Sequence, residues 1–190
     1  MSNNNNIRGL ETIYSFAKES EKKIPPVDQW NPPDCGSIDM KILRNGKWIY
    51  MGSEIKRPAL TKLFSSVLRL DQDGYYYLVT PVEKVRIEVE DAPFIAVAMN
   101  IANKENSQII TFVTNVRDKI DLSKECPIDI VINKENGQPS PYITVRRNLK
   151  ALISRSVYYE MIEMAVEKKI NNKKYLTLQS NNEDFKLYEL

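Results

Sequence analysis

The sequence predicts an α+β protein built from two repeated sheet-and-helix units, with mainly antiparallel strands and one additional helix at the N-terminus. Three observations lead to this prediction. Short apolar segments with strand periodicity alternate with tight-turn signals, three segments have helical periodicity, and a similar order of motifs returns after about ninety residues. A chain of 190 residues is long enough for one domain or for two small adjoining ones.

The first predicted element is an amphipathic helix over residues 7–23. Its apolar residues recur at helical spacing, and charged residues stand between them. Pro25 and Pro26 end this helix, because proline has no backbone N–H to continue the hydrogen-bond ladder. Residues 30–36 contain too many prolines for regular structure, so they predict a loop.

The next elements are a hairpin and a helix. Alternating residues over 38–50 predict a β-hairpin, and Asn45-Gly46 at its centre is the favoured pair for a type I′ turn. Pro58 suits the first position of a helix, which helical spacing extends to Val67.

Short strands and a final helix account for most of the rest. The predicted strands are 68–70, 75–80, 85–89, 95–102, 108–114, 119–122, 128–133 and 142–145. Apolar residues at helical spacing predict the last helix over residues 149–169.

An internal similarity appears when the chain is shifted by about ninety positions. Ile38-Asp39 then matches Ile128-Asp129, and each copy reads strand, Asn-Gly turn, strand, paired basic residues, helix. The predicted organisation is an N-terminal helix over 1–24, a first unit over 25–84, a second unit over 85–170 and a tail over 171–190.

Composition excludes several classes of function. The chain has no histidine, which removes Ser-His and Cys-His nucleophile pairs and every histidine-containing metal site. Its 27 Lys and Arg against 25 Asp and Glu give a net charge of +2, so nucleic acid is an unlikely partner. No signal peptide and no membrane span is recognisable, and the two cysteines are too few for a disulfide framework. We therefore expect a soluble cytoplasmic protein without membrane contact.

Charge is unevenly distributed along the chain. Residues 38–69 carry a net charge of +5, and residues 71–91 carry −4. Two interpretations follow. The segments attract one another, or the basic one forms part of a groove that binds an anion.

Several strings of residues are characteristic of one family. They include Cys35-Gly-Ser-Ile-Asp-Met40, Gly46-Lys-Trp48, Thr80-Pro-Val-Glu-Lys84, Glu90-Asp-Ala-Pro-Phe94 and Pro141-Tyr142. With these strings the chain resembles a bacterial family known as domain of unknown function 1285, over roughly residues 30–164, with the N-terminal helix and the tail outside. The resemblance implies an α+β fold with repeated motifs, a cytoplasmic setting and a role in ligand sensing or signal transduction without an assigned reaction.

Two of these strings contain candidate site residues. Thr80, Glu83 and Lys84 follow a strand, and a lysine beside a carboxylate acts as an acid, a base or an anion clamp when burial tunes it. A surface ion pair is the alternative. Asp91 lies before a proline turn, where it either caps backbone amides or binds a cation.

Basic residues at the ends of predicted elements are the other candidates. Arg57, Arg69 and Arg146 lie at strand or helix ends, and Arg57 and Arg146 can hold a small anion if each precedes a helix N-terminus. Tyr142, in one of the resembling strings, is a further candidate for ligand binding. The alternative is that the arginines form buried pairs with Asp39, Asp129 and Glu83 between the two units.

Metal sites are not expected. Asp71-Gln-Asp-Gly74 has its glycine two positions too early for a calcium loop, so it predicts a turn. The sequence leaves the cofactor undetermined.

Three functional hypotheses follow. The first is a non-enzymatic module that binds a small anionic ligand, in a cleft formed by the two units, and relays its occupancy to a partner. The second is a histidine-free enzyme in which Glu83, Lys84 and Asp91 perform acid-base chemistry. The third is a structural adaptor whose N-terminal helix docks on a protein partner or on a second copy of the chain.

Overall fold

The computed structural model describes residues 13–15, 24–104, 107–134 and 137–190. Within them, a 3-10 turn (Val27–Gln29) precedes fifteen strands and two α-helices of more than one turn. The helices are α1 (Pro58–Ser66) and α2 (Arg155–Met164). The strands are β1 (Asp34–Ile42), β2 (Trp48–Tyr50), β3 (Ser53–Glu54), β4 (Leu68–Leu70), β5 (Tyr76–Val79), β6 (Lys84–Val89), β7 (Phe94–Lys104), β8 (Ser107–Thr114), β9 (Lys119–Asp121), β10 (Ile128–Ile132), β11 (Pro139–Arg146), β12 (Leu149–Ile153), β13 (Val166–Ile170), β14 (Lys173–Ser180) and β15 (Glu183–Glu189).

The fold is mostly β, so the predicted α+β class with two repeated sheet-and-helix units is wrong. The described chain has three sheets and two short helices. The helix predicted over residues 149–169 is in fact strand β12, helix α2 and strand β13. Burial alternates residue by residue along β12, which is the period of a strand. The apolar residues of this segment fit both the spacing of a helix and the alternation of a strand. Pairing with neighbouring strands decides which of the two forms.

The first sheet has six strands in the order β3-β2-β1-β6-β5-β4. β1 and β6 are parallel, and every other neighbouring pair is antiparallel. Met40 and Ile42 alternate with polar residues along β1 and are buried. Trp48 stacks with Phe64 of α1 at 6.3 Å between ring centroids, so α1 contributes to this core.

The second sheet also has six strands, in the order β10-β11-β12-β7-β8-β9. Only β12 and β7 are parallel. Its core includes Phe112 on β8, Ile143 on β11 and Leu149 on β12, all fully buried.

The two sheets share one connectivity: a three-stranded meander, a connection and a second meander whose last strand lies parallel to the first strand of the sheet. The ninety-residue shift instead matches β1-β2-β3-α1 with β10-β11-β12-α2. It therefore pairs the first meander of one sheet with the second meander of the other. Similar local signals in both meanders produce that match, and it is not a repeat of sheet-and-helix units.

The hairpin turns at Gly46, Gly52, Gly74 and Gly137 each contain a glycine with positive φ. At Asn45-Gly46 only Gly46 has positive φ, at 79°, so the predicted type I′ turn is wrong, because that type needs positive φ at both central residues. The Gly46 N–H donates to the Leu43 carbonyl, which is typical of a type I turn followed by a left-handed glycine. The turn predicted at Asp71–Gly74 is confirmed, and Gly74 has φ 82° there.

Most of the predicted N-terminal helix lies outside the described residues. The part that is described, residues 13–15, is helical, and Ile13 is fully buried. In the second predicted Asn-Gly turn, Gly137 is described with φ 69°, and Asn136 lies outside the described residues.

The chain divides into two compact units between Pro93 and Phe94. The second unit includes a third sheet, β13-β14-β15, in which both neighbouring pairs are antiparallel. Residues 171–190, which the sequence analysis treats as a tail, contain β14 and β15.

Candidate functional site

The described part of the first unit contains a group of four charged side chains and one tyrosine, the ion cluster, made of Arg69, Asp71, Asp73, Tyr77 and Lys84. Three neighbouring strands position it. Arg69 on β4 lies opposite Tyr77 on β5, and Val79, two residues further along β5, lies opposite Lys84 on β6. Residues that are opposite or two apart share one face of a sheet, so Arg69, Tyr77 and Lys84 lie on the same face.

Asp71 accepts hydrogen bonds from both cations of the cluster. Its Oδ1 lies 2.5 Å from Arg69 Nε, and its Oδ2 lies 3.0 Å from Arg69 Nη2 and 2.9 Å from Lys84 Nζ. Only 12%, 16% and 19% of the Arg69, Asp71 and Lys84 side chains are exposed. Burial by itself would raise the pKa of Asp71, but the bonds from Arg69 and Lys84 outweigh it and lower that pKa.

Arg69 also ties the cluster to the chain segment before β1. Its Nη1 donates to the Val27 carbonyl at 2.7 Å and to the Trp30 carbonyl at 2.8 Å. With its two bonds to Asp71, Arg69 thus uses four of the five donors of its guanidinium group. The side chain is therefore a structural clamp between β4 and the 3-10 turn.

Asp73 is held by groups other than the two cations. It accepts a hydrogen bond from the Tyr77 hydroxyl at 2.8 Å and another from the Tyr75 backbone N–H at 3.0 Å. Burial, followed by the hydrogen bond to Asp73, raises the pKa of Tyr77 to about 12. Lys84 Nζ lies 4.3 Å from the centroid of the Tyr77 ring, a cation-π contact.

Thr80 and Glu83 close the turn between β5 and β6. Thr80 is fully buried, and its hydroxyl donates to the Glu83 carbonyl at 3.1 Å while accepting from the Glu83 N–H at 3.2 Å. The Thr80 hydroxyl therefore holds the main chain of this turn. Cys35 is close to this turn, and burial together with the negative charges of Glu83 and Asp34 raises the pKa of its thiol.

The remaining candidates of the first unit lie elsewhere. Arg57 is exposed at the N-cap of α1, where its side chain makes no capping bond. Asp91 pairs with Arg44 at 3.3 Å. Glu83 precedes β6 and Asp91 follows it, so a six-residue strand of about 20 Å separates them. The acid-base hypothesis requires Glu83, Lys84 and Asp91 to converge, and this geometry does not bring them together.

The second unit contains a separate buried ion pair. Arg146 Nη1 lies 2.8 Å from Asp118 Oδ2, and the guanidinium carbon lies 4.9 Å from the centroid of the Phe94 ring. Burial lowers the pKa of Arg146, and the charge of Asp118 partly offsets that effect. Tyr142 is half-buried on β11, opposite Asp129 and Leu152.

The arginines do pair with acidic residues, but the partners differ from those predicted. Arg69 pairs with Asp71 and Arg146 with Asp118, whereas Asp129 pairs with Lys150. Sequence reasoning missed Asp71, Asp73, Tyr77 and Asp118 as members of these groups. One usable signal was present: Asp71 stands two residues after Arg69, the spacing that places two side chains on one face of a strand.

In the part of the chain that the structure describes, no group of three or more Cys, Asp or Glu side chains is arranged to hold a metal ion. None of the helices described is both long enough and apolar enough to cross a membrane.

Two family models match almost the whole described chain. The N-terminal domain of DUF1285, a domain of unknown function, matches residues 25–92, and the C-terminal domain of DUF1285 matches residues 93–187. This chain belongs to the DUF1285 family. The resemblance seen in the sequence is thereby confirmed, but the prediction that it ends near residue 164 is wrong, because the DUF1285 C-terminal domain includes β13, β14 and most of β15.

Solved structures of DUF1285 proteins from two bacteria are similar to this chain. The protein from Silicibacter pomeroyi DSS-3 has 41% identity and a TM-score of 0.80, with 89% of this chain and 90% of that chain covered. The protein from Shewanella baltica OS155 has 29% identity and a TM-score of 0.53, with 66% of this chain and 91% of that chain covered. A comparison with curated proteins gives no match. The DUF1285 family has no established function, so the chain is uncharacterised in its activity.

Proposed function

We propose that this DUF1285 protein is a non-enzymatic module that binds a small anionic ligand at the ion cluster and signals its occupancy through the 3-10 turn. The ligand class is a small carboxylate or a phosphate ester. The proposal assigns no reaction to the cluster.

The observation that carries the proposal is the way in which Lys84 shares its counter-ion. Asp71 accepts two hydrogen bonds from Arg69 and only one from Lys84. Asp73 is engaged by Tyr77 and by the Tyr75 N–H. An ammonium group has three donors, so Lys84 can donate to an incoming anion without losing Asp71. The low exposure of Lys84 strengthens such a contact, because charges attract more strongly away from water.

The relay follows from Arg69. An anion that shares Lys84 with Asp71 weakens the Lys84–Asp71 hydrogen bond without breaking it, and Asp71 is bound to the guanidinium group that holds the Val27 and Trp30 carbonyls. A change in the Lys84–Asp71 contact therefore reaches the 3-10 turn in two steps. This coupling is a shift between two arrangements of one hydrogen-bond network.

The cytoplasmic location expected from the sequence is part of this proposal. Both cysteines, Cys35 and Cys126, have free thiols. Free thiols are typical of proteins that work in a reducing compartment, which supports the location.

A thermal-shift screen tests the binding proposal. The wild-type protein is melted with inorganic phosphate, nucleotides, sugar phosphates and dicarboxylates, and Lys84→Ala is melted beside it. A ligand at one hundred times its dissociation constant adds about 2.7 kcal/mol of stability, so a hit is visible as a rise in Tm. We expect Lys84→Ala to lose that rise.

The matched control is Lys150→Ala. Lys150 also bonds a carboxylate at 2.9 Å, but 44% of its side chain is exposed. Each variant is compared with its own Tm without ligand, so a loss of stability in Lys84→Ala does not imitate a loss of binding. The proposal fails if no anion in the panel shifts the wild-type Tm, or if Lys84→Ala responds as Lys150→Ala does.

A further inference from the structure

Asp34 is a carboxylate that lies beside the ion cluster without belonging to it. It is the first residue of β1 and is paired with Lys84 in the parallel register of β1 and β6. The Lys84 backbone N–H donates to the Pro33 carbonyl at 3.0 Å, which holds this end of β1 against β6. Neighbouring strands lie about 4.8 Å apart, and paired residues are on the same face of a sheet. Asp34 is therefore a neighbour of Lys84 on the face that carries the ion cluster.

The negative charge of Asp34 acts on the cluster. Burial and the hydrogen bond to Asp73 are the main causes of the raised pKa of Tyr77, and the charges of Asp73, Asp34 and Asp71 add to them. Asp71 and Asp73 are engaged by other members of the cluster. Among the described residues, the exposed Asp34 side chain accepts only the Gly36 N–H, at 2.8 Å, and forms no ion pair.

This arrangement discriminates between ligands. An anionic group bound by Lys84 lies near the charge of Asp34, which repels it. Arg86, the next cation on this face of β6, lies over the ring of Tyr75, with 3.8 Å between the guanidinium carbon and the ring centroid. A ligand with an ammonium group turns the charge of Asp34 into an attraction, because an ammonium donates charge-assisted hydrogen bonds to a carboxylate.

We infer that the ligand of the ion cluster carries an ammonium group beside its anionic group, and that Asp34 binds the ammonium while Lys84 binds the anion. The chemical class is that of a small acidic amino acid or an aminoalkyl phosphate. The inference rests on the proposed function, because it takes Lys84 as the group that binds the anion. It makes Asp34 a specificity-determining residue, since specificity is a difference between two affinities.

Three matched pairs of compounds test the inference: succinate and aspartate, glutarate and glutamate, and ethyl phosphate and 2-aminoethyl phosphate. The members of each pair differ in one amino group. Isothermal titration calorimetry at neutral pH measures the dissociation constant of each compound for the full chain. We expect the member with the amino group to bind about fivefold more tightly, which is the upper range for an exposed ion pair.

Asp34→Asn separates a role in recognition from a structural role. Asparagine keeps an oxygen for the Gly36 N–H and removes the charge. We expect the amino compounds to bind this variant about fivefold more weakly than the wild type, because the ion pair is lost. The compounds without the amino group should bind it at least as tightly as the wild type, because the repulsion is lost. A structural role would move both members of a pair in the same direction.

Asp39→Asn is the matched control, since Asp39 is an exposed carboxylate on the same strand, and it should leave all the dissociation constants unchanged. Equal binding of the two members of each pair overturns the inference. So does an equal response of Asp34→Asn and Asp39→Asn, or an absence of binding by all the compounds. In the first two cases, binding that Lys84→Ala abolishes still supports the proposed function. Binding that Lys84→Ala retains overturns both.

Discussion

Asp118 and Arg146 form an ion pair that the second unit holds mostly away from water. Only 14% and 12% of the two side chains are exposed, and the pair lies beside the ring of Phe94. Removing one partner from such a pair takes away the opposite charge that offsets the cost of burying the other. That loss costs far more than the loss of a surface pair.

We expect Asp118→Asn to lower the free energy of unfolding by about 3–5 kcal/mol, because the Arg146 guanidinium then loses its counter-ion in a buried position. Urea denaturation measures the change. Asp129→Asn is the control, since the Asp129–Lys150 pair is exposed and should contribute at most about 1 kcal/mol. Equal effects of the two variants would contradict the buried role of Asp118.

At the level of single residues, the sequence identified some members of each cluster and missed others. Basic residues near strand ends are visible in the sequence, which predicts Arg69 and Lys84 as site residues. The sequence predicts Asp71 only as part of a turn, but Asp71 also bonds both cations. Asp118 could not be assigned to Arg146, because the two residues are far apart in sequence and only the fold makes them neighbours.

Helix α1 begins with an unfavourable residue. Arg57 occupies its N-cap without a capping hydrogen bond, and the first turn contains no acidic residue. A positive charge at this end opposes the helix dipole, and the first backbone N–H groups lack a side-chain acceptor. A better capping residue at position 57 should therefore make the protein more stable.

Arg57→Asp should raise the free energy of unfolding by about 1 kcal/mol, since aspartate supplies both the capping oxygen and the favourable charge. Thermal or urea unfolding monitored by circular dichroism measures this gain. Arg57→Ala separates the two causes, because it removes the charge without adding a cap. A loss of stability in Arg57→Asp would show that the arginine makes a contact that outweighs both terms.

Among the elements, the sequence predicts most strands correctly, but the prediction of its longest helix, over residues 149–169, is wrong. Strand β6 and the part of β1 over residues 38–42 have a simple alternation of buried and more exposed residues, which a sequence displays directly. The segment from Leu149 to Ile170 instead contains two strands around a helix. The pairing of β12 with β7 and β11, and of β13 with β14, decides that outcome through partners distant in the chain.

Ser180 joins the third sheet to the second. It is fully buried, accepts a hydrogen bond from the Ile110 N–H at 3.1 Å and donates one to the Leu122 carbonyl at 3.0 Å. Leu178 and Leu187 of the same sheet are also buried. The C-terminal strands are therefore part of the core of the second unit.

Ser180→Ala should lower the free energy of unfolding by about 1–3 kcal/mol, because two buried backbone groups lose their partner. Urea unfolding measures the loss, and hydrogen exchange at Ile110 should accelerate. Ser156→Ala is the control, since Ser156 is exposed and bonds only Ser154 among the described contacts. Unchanged exchange at Ile110 would mean that the third sheet does not hold β8.

The sequence by itself determined the family, the presence of many short strands, the positions of most turns and the absence of histidine chemistry. These properties are local: they depend on residue type and on spacing within a few positions. The tertiary structure decided that the fold is mostly β, that the last twenty residues belong to a sheet, and which carboxylate neutralises each buried cation. Those outcomes depend on contacts between residues distant in the chain, which local periodicity does not encode.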